Sequence, residues 1–279
     1  MPVSSFKRTI LITGSTDGIG KQTATDLAAH PDNRVIIHGR SEEKCETTRD
    51  QIVKETGNPT NVDYIAADLS VMKEVAHFAD KVKSRFPELN VLLCNAGVLN
   101  PRRAETVDGL EMTFQVNHLS HFVISRQLRP LLQQNSPSRI IFVSSICYDW
   151  YPLDFSDLQA TNYGDAYLQY SRSKLMNHMT AFRLAREKSD GVTVNVLEPG
   201  VCETKLLKRG GYSGGPVKDG SVAPVHLVMS EEVKNITGGY FNNRGKRITS
   251  LSADSTDAKQ QDRLWTMSEE ICSKFGITF

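Results

Sequence analysis

The sequence predicts a single α/β domain, a doubly wound parallel sheet wrapped by helices on both faces. Three observations carry that expectation. Short runs rich in β-branched residues alternate with longer amphipathic stretches. The runs are almost continuously apolar, as in strands covered on both faces. A glycine-rich turn follows the first run and leads straight into a helix.

Strands are expected at 9–13, 34–38, 62–66, 91–94, 139–143 and 192–197. Between the third and fourth, Val71, Val75, Phe78, Ala79 and Val82 recur at helical spacing, and Leu264, Met267 and Ile271 do so near the C-terminus. No repeat or long linker divides the 279 residues, a length that undivided α/β sheets often reach. Two irregular stretches stand out. Residues 146–165 hold Tyr148, Trp150, Tyr151, Phe155 and Tyr163, and 208–216 hold Gly210, Gly211, Gly214 and Gly215. Together with the rest of 201–224 they are expected to roof a site.

Composition narrows the function. The 33 lysines and arginines balance 32 acidic residues, leaving +1, which argues against a generic nucleic-acid binder. Cys45, Cys94, Cys147, Cys202 and Cys272 are scattered, with no C-x-x-C pair, and read as reduced thiols. The first strand leaves no room for a leader or anchor before it, and no later run reaches the roughly 18 apolar residues of a spanning helix. A cytoplasmic protein without an integral membrane segment is expected, and the sequon Asn235-Ile236-Thr237 reads as chance.

The turn after the first strand comprises Gly14, Ser15, Thr16, Asp17, Gly18, Ile19 and Gly20, with a helix expected to begin near Lys21. Glycines there permit a tight turn and let a dinucleotide pyrophosphate meet bare backbone at a helix N-terminus. The second strand ends at His38-Gly39-Arg40, with Arg40 20 residues beyond Gly20. An acidic residue there would favour NAD by binding the ribose 2′-hydroxyl. A guanidinium instead offers a clamp to a 2′-phosphate, with Ser41 and Lys44 close by, so NADP(H) is the expected cofactor.

Tyr170 and Lys174 stand four apart, on one face of a helix. An ammonium beside a phenol favours the phenolate, so a Tyr170 pKa below the usual value of about 10 is expected. Alone this spacing is common by chance. With Asp68-Leu69, Asn95-Ala96-Gly97, Asn117, Ser144-Ser145 and Pro199-Gly200 followed by Thr204, in that order, the chain resembles the short-chain dehydrogenase/reductase family over nearly its whole length.

The resemblance implies a Rossmann-type fold. It makes Tyr170 the acid–base residue and gives Lys174 the nicotinamide ribose. Ser145 would hold the substrate oxygen, and Asn117 a water linking Lys174 to solvent. Asp68 and Leu69 would border the adenine, Asn95, Ala96 and Gly97 the cofactor edge of the fourth strand, and Pro199, Gly200 and Thr204 the nicotinamide and phosphate. Either serine of the pair fits. Ser145 is chosen because it stands 25 residues before Tyr170, a spacing similar to the retinol dehydrogenase-like branch, which Gly238-Gly239-Tyr240-Phe241 and Arg263-Leu264-Trp265 also echo. The N-terminal hydrophobic anchor frequent in that branch is missing.

Leu99, Tyr148, Trp150, Tyr151, Leu206, Leu207 and Tyr212 are candidate walls, favouring an apolar carbonyl, steroid- or retinoid-like or xenobiotic. The function expected is reversible NADPH-dependent reduction of an aldehyde or ketone to an alcohol. The rivals are an NADP(H)-binding redox sensor or scaffold, which would tolerate damage to the catalytic set, and a nucleotide-sugar epimerase or dehydratase, whose glycines are spaced differently. His118 and His121 lack a third ligand at metal spacing and Cys147 lacks a base, so neither is expected to do chemistry, and no metal is expected. The resemblance implies pairing of helices into homo-oligomers, with no interface legible in the sequence.

Overall fold

Six apolar runs form strands: β1 Arg8–Ile12, β2 Asn33–Gly39, β3 Val62–Ala66, β4 Val91–Cys94, β5 Ser138–Val143 and β6 Val192–Leu197. Their ends fall within one residue of the expected spans. The computed structural model describes residues 6–162, 164–187 and 191–279; Tyr163 lies outside them. Two further strands, β7 Tyr240–Phe241 and β8 Arg247–Ile248, extend the sheet. At two residues each they are too short to leave a periodic signal in the sequence.

The strand order is β3-β2-β1-β4-β5-β6-β7-β8. All neighbours run parallel except β7 and β8. Successive side chains point to opposite faces, so each strand feeds two cores. Ile10, Ile12, Val35, Ile37, Leu93 and Ile141 pack with Leu27 of helix α1 (Gly18–Ala28), Ile52 of α2 (Glu42–Thr56) and Leu227. Leu11, Ile36, Leu92 and Ile140 face the other way, against α3 (Met72–Arg85), α4 (Ser120–Gln134) and α5 (Ala166–Arg186).

Helix α1 begins at Gly18, three residues before the start expected, because the Asp17 carboxylate accepts the Gly18 N–H and caps it. A π-helical turn, Phe114–Leu119, precedes α4 and carries Asn117. The segment after β6 folds into three short helices, α6 (Lys205–Arg209), α7 (Val217–Gly220) and α8 (Val222–Met229). The chain closes with α9 (Ala253–Thr256) and α10 (Ala258–Ser273). Trp265 of α10 stacks edge-on to Phe122 of α4 at 4.9 Å, and Arg126 of α4 pairs with Glu269. Among the described residues no helix is long and apolar enough to cross a membrane.

The winding reverses between β1 and β4, leaving a crevice beyond the carboxyl ends of these strands. The glycine turn, Arg40, Asp68-Leu69, Asn95–Gly97, Ser145, Tyr170, Lys174 and Pro199-Gly200 with Thr204 lie along that edge.

Four histidines, His38, His118, His121 and His178, are wholly buried. Burial pushes His38 down to about 4 and the other three to about 3, so the native state holds all four neutral at pH 7. Unfolded, each takes up a proton below about 6.5. The stability from these groups is therefore complete above that value and lost as pH falls toward about 4 for His38 and about 3 for the other three. Below pH 6.5 each is expected to cost about 1.4 kcal/mol per pH unit. Urea midpoints measured at pH 7 and pH 5 should fall steeply, and a flat profile would show the rings charged or exposed.

Candidate active site

The floor of the crevice is the turn from β1 into α1. Gly14 has φ +64°, and a Cβ there would lie 2.7 Å from Ala96 Cα. A Cβ on Gly20 would lie 2.4 Å from Asn95 Nδ2 and 2.5 Å from the Gly14 carbonyl. Bare backbone is therefore obligatory where the turn crosses the end of β4. Asn95 fastens the crossing, its amide donating to the carbonyls of Thr13 (2.8 Å) and Gly14 (3.1 Å).

Gly14, Thr16, Asp17, Gly18, Ile19 and Gly20 line the crevice. Ser15 does not. Its hydroxyl, wholly buried, donates to the Ile12 carbonyl (2.7 Å) and accepts the His38 N–H (2.9 Å), so it braces the turn from beneath. Asp17 pairs with Lys205 at 2.6 Å. Partial burial raises its pKa, but hydrogen bonds from Lys205 and the Gly18 N–H outweigh that and hold it below the usual carboxylate value. The α1 N-terminus thus carries a carboxylate whose charge Lys205 offsets.

At the outer end, Arg40, Lys44, Asp68, Leu69 and Ser70 line the crevice. The nearby ion pairs join Lys205 to Asp17 and Lys208 to Glu203, and leave Arg40 and Lys44 without a carboxylate partner among the described residues. Ser41 lies off the lining. It caps α2, its hydroxyl accepting the Lys44 N–H at 3.3 Å. A Cβ on Gly39 would meet Thr16 Cγ2 at 2.5 Å, so this corner closes only around a glycine.

At the inner end α5 begins at Asp165, whose carboxylate accepts the N–H groups of Tyr167 and Leu168. That start sets one helix face, Tyr167, Tyr170 and Lys174, toward the crevice. Lys174 Nζ donates to the Val143 carbonyl at 3.0 Å and lies beside Gly97, where a Cβ would stand 3.5 Å from it. Burial lowers Lys174 to about 8. Ser145 hydrogen-bonds the Tyr170 side chain and lies 3.1 Å from Cys147 Sγ. Ser144 is engaged elsewhere, donating to the Lys174 carbonyl at 3.3 Å. The spacing-based choice of Ser145 thus coincides with the hydroxyl that reaches the phenol.

The lowered phenol expected from the sequence is absent. Burial, then the neighbouring Cys147, push Tyr170 well above the usual tyrosine range, and the hydrogen bond from Ser145 only partly opposes them. Lys174 Nζ lies 5.5 Å from the centre of the tyrosine ring and spends one proton on Val143. Asn117 also differs from expectation, being buried off the lining. Its Oδ1 accepts the Val98 N–H (2.7 Å), and its Nδ2 donates to the Val98 carbonyl (2.9 Å) and Ser173 Oγ (3.0 Å).

Asn95, Ala96, Gly97, Pro199, Gly200 and Thr204 complete the lining, and Thr204 caps α6 with its hydroxyl. The walls include Leu99, Trp150, Leu206, Leu207 and Tyr212 as expected, together with Met112, Val116, Ile146, Cys147 and Tyr167. Tyr148 and Tyr151 are not among them. Tyr148 is buried flat against His178 at 4.0 Å, and the Tyr151 hydroxyl donates to Asp165. Tyr167, missed in the sequence, touches Trp150, Tyr170 and Tyr212 with ring centres 5.5–6.2 Å apart. Its position three residues before Tyr170 was the available signal. The crevice encloses ≈ 700 Å³, within the range of small-molecule sites.

The short chain dehydrogenase family profile matches residues 8–211. The chain is 33% identical to human retinol dehydrogenase 13, over 95% of this chain and 84% of that protein. It is 32% identical to the human WW domain-containing oxidoreductase, over 95% of this chain and 68% of that protein. Among solved structures, a Mycobacterium paratuberculosis protein superposes with a TM-score of 0.78 at 25% identity, covering 97% of this chain and 95% of its own. A Shigella flexneri short chain dehydrogenase solved with NADP gives a TM-score of 0.70 at 24% identity, covering 86% of this chain and 98% of its own.

The glycine crossing yields a direct test. Gly20→Ala should fold with an unchanged far-ultraviolet spectrum yet bind a nicotinamide dinucleotide about tenfold more weakly, or worse, by isothermal calorimetry. Wild-type affinity in that variant would mean that the turn has room to spare.

Proposed function

The chain belongs to the short chain dehydrogenase family and is an oxidoreductase of alcohol and carbonyl groups, and on that footing we propose that it reduces an apolar aldehyde or ketone with NADPH. The convergence of Ser145, Tyr170 and Lys174 on one wall of the crevice, beside a glycine cradle that a single Cβ would block, carries this reading. The cradle and the inner lining fit a nicotinamide dinucleotide, which supplies hydride to the substrate carbon when bound.

The residues of the chain do the rest. The substrate carbonyl oxygen accepts from the Ser145 hydroxyl, whose own oxygen is free to take the Cys147 N–H at 3.4 Å. As negative charge builds on that oxygen, the Tyr170 phenol transfers its proton, and the product leaves as an alcohol. A phenol held up by burial keeps its proton through neutral pH, which suits an acid in reduction. Lys174 holds the ribose hydroxyls and keeps a positive charge close to the phenolate left behind. In the oxidative direction the positive nicotinamide ring would favour phenolate formation.

Preference for NADPH rests on Arg40 and Lys44, two cations with no ion-pair partner within 4 Å among the described residues, where the adenosine ribose would end. A guanidinium can take a phosphate through two parallel hydrogen bonds. The apolar substrate class rests on the walls from 146–165 and 201–224, which we assign as the roof. Trp150 and Tyr212 there are 52% and 57% exposed although large and aromatic, as expected of rings that cover a ligand. Five buried, unpaired thiols support a reducing compartment such as the cytoplasm.

Three measurements test this. Tyr170→Phe should lower kcat for aldehyde reduction by about a hundredfold or more while NADPH still binds; turnover at the wild-type rate would remove Tyr170 from the chemistry. Arg40→Asp should reverse the preference between NADPH and NADH in kcat/KM by about a hundredfold, and an unchanged ratio would discard the 2′-phosphate clamp. The rate of reduction should be level from pH 6 to 7.5 and decline above about 8 as Lys174 loses its charge, whereas a rate that climbs with pH would contradict a proton-donating phenol.

A further inference from the structure

The sequence assigns His121 no metal and no chemistry, yet it joins the turn after β1 to the wall that carries Tyr170. It is wholly buried at the start of α4, off the crevice lining. Its Nδ1 lies 2.9 Å from the Asn117 carbonyl, and its Nε2 lies 2.9 Å from Thr13 Oγ1. A carbonyl can only accept, so Nδ1 carries the hydrogen. A neutral ring has one N–H, and Nε2 is therefore the acceptor.

This fixes the direction of every bond around Thr13. Its hydroxyl donates to His121 Nε2 in preference to the Leu93 carbonyl at 3.4 Å. Its oxygen accepts the N–H groups of Asn95 (2.8 Å) and Ala96 (2.9 Å), which form the cofactor edge of β4. On the other side the chain of contacts continues from Asn117 to Ser173 and, through the Ser173 hydroxyl, to the Tyr170 carbonyl at 2.7 Å. His118, one turn back, does not share this role, since its Nε2 reaches Ser268 at 3.0 Å.

We propose that His121 is a positioning residue with two separable tasks: its Nε2 orients Thr13 and so the cradle edge at Asn95 and Ala96, and its Nδ1–H holds Asn117 and so the seat of Tyr170. The proposal rests on the carbonyl-reductase reading above, but its first task is read by binding alone.

Two conservative variants divide the tasks. His121→Asn places an amide N–H near Nδ1 and nothing near Nε2. His121→Gln places a carbonyl oxygen near Nε2 and nothing near Nδ1. Each is compared with wild type for the Kd of NADPH by calorimetry, kcat and KM on an aromatic aldehyde at saturating NADPH, and Tm. The Asn variant should bind NADPH about tenfold more weakly with kcat within about threefold of wild type. The Gln variant should keep the Kd within about threefold and lose about tenfold in kcat. Thr13→Val should reproduce the weak binding of the Asn variant, and the double variant Thr13→Val/His121→Asn should be no weaker than either alone. Should a His121 variant fail to fold, nitrogen-15 NMR of the wild-type histidines decides the same point: a His121 ring protonated on Nδ1 is expected, and one protonated on Nε2 would overturn the proposal.

Equal changes of Kd in the Asn and Gln variants, or a drop in Tm with both Kd and kcat unchanged, would overturn the proposal and leave His121 as packing. A wild-type protein that binds NADPH but reduces no carbonyl would instead sink the function reading, while the Kd contrast between the two variants would still decide the first task.

Discussion

The crossing of the β1–α1 turn over the end of β4 is the constraint on which the rest of the site depends. Two backbones meet there with no room for a Cβ at Gly14 or Gly20. Asn95 and Thr13 satisfy the polar groups that such a meeting buries. Unpaired, each of those groups would cost about 1–3 kcal/mol. Paired, they make a floor that is rigid because almost every donor has one acceptor within reach. The turn is tied down further by its own N–H groups, Gly14 donating to His38 Nδ1, Ser15 to the His38 carbonyl and Gly18 to Asp17.

The same burial that makes the floor rigid sets the electrostatics of the wall. Lys174 and Tyr170 sit side by side in a poorly solvated layer, and both are driven toward their neutral forms, the amine downward and the phenol upward. The neighbouring ammonium does not yield an acidic phenol, because burial and then Cys147 raise Tyr170 more than the Ser145 hydrogen bond lowers it. A charge arriving in the crevice would change that balance, since in a low-dielectric pocket it acts on both groups far more strongly than in water.

Much of this was legible in the sequence, and for physical reasons. The six long strands are covered on both faces, so their apolar runs could hardly be misread, and the glycines at 14, 18 and 20 announced a turn that tolerates no side chain. What the sequence hid is direction. Ser15 and Ser41 sit inside the cofactor motifs, yet one braces the turn from below and the other caps α2. Tyr148 and Tyr151 fall within an aromatic stretch whose irregular backbone sends one ring inward to His178 and the other to Asp165, leaving Trp150 between them to line the crevice. Asn117 lies on a π-helical turn, whose altered spacing no apolar periodicity betrays. His121 joins segments more than a hundred residues apart, a relation that spacing cannot encode.

The two sides of the crevice draw on different parts of the chain. The floor comes from strand ends tied into both cores. The side proposed as the roof is lined by Ile146, Cys147, Trp150, α6 and Tyr212, with ring contacts such as Tyr167 with Trp150 and Tyr212. Gly210 lets this roof close on the catalytic helix, for a Cβ there would sit 2.2 Å from the Tyr167 hydroxyl. Tyr148, Leu158 and Ala160 anchor this part of the chain in the core, whereas the exposed rings of Trp150 and Tyr212 are positions that can change at little cost to global stability. The proton donor, by contrast, cannot move without disturbing Ser173, Asn117 and the histidine behind them. A change of substrate is therefore open to this fold through the roof, whereas a change of reaction would require rebuilding the buried network on which the floor stands.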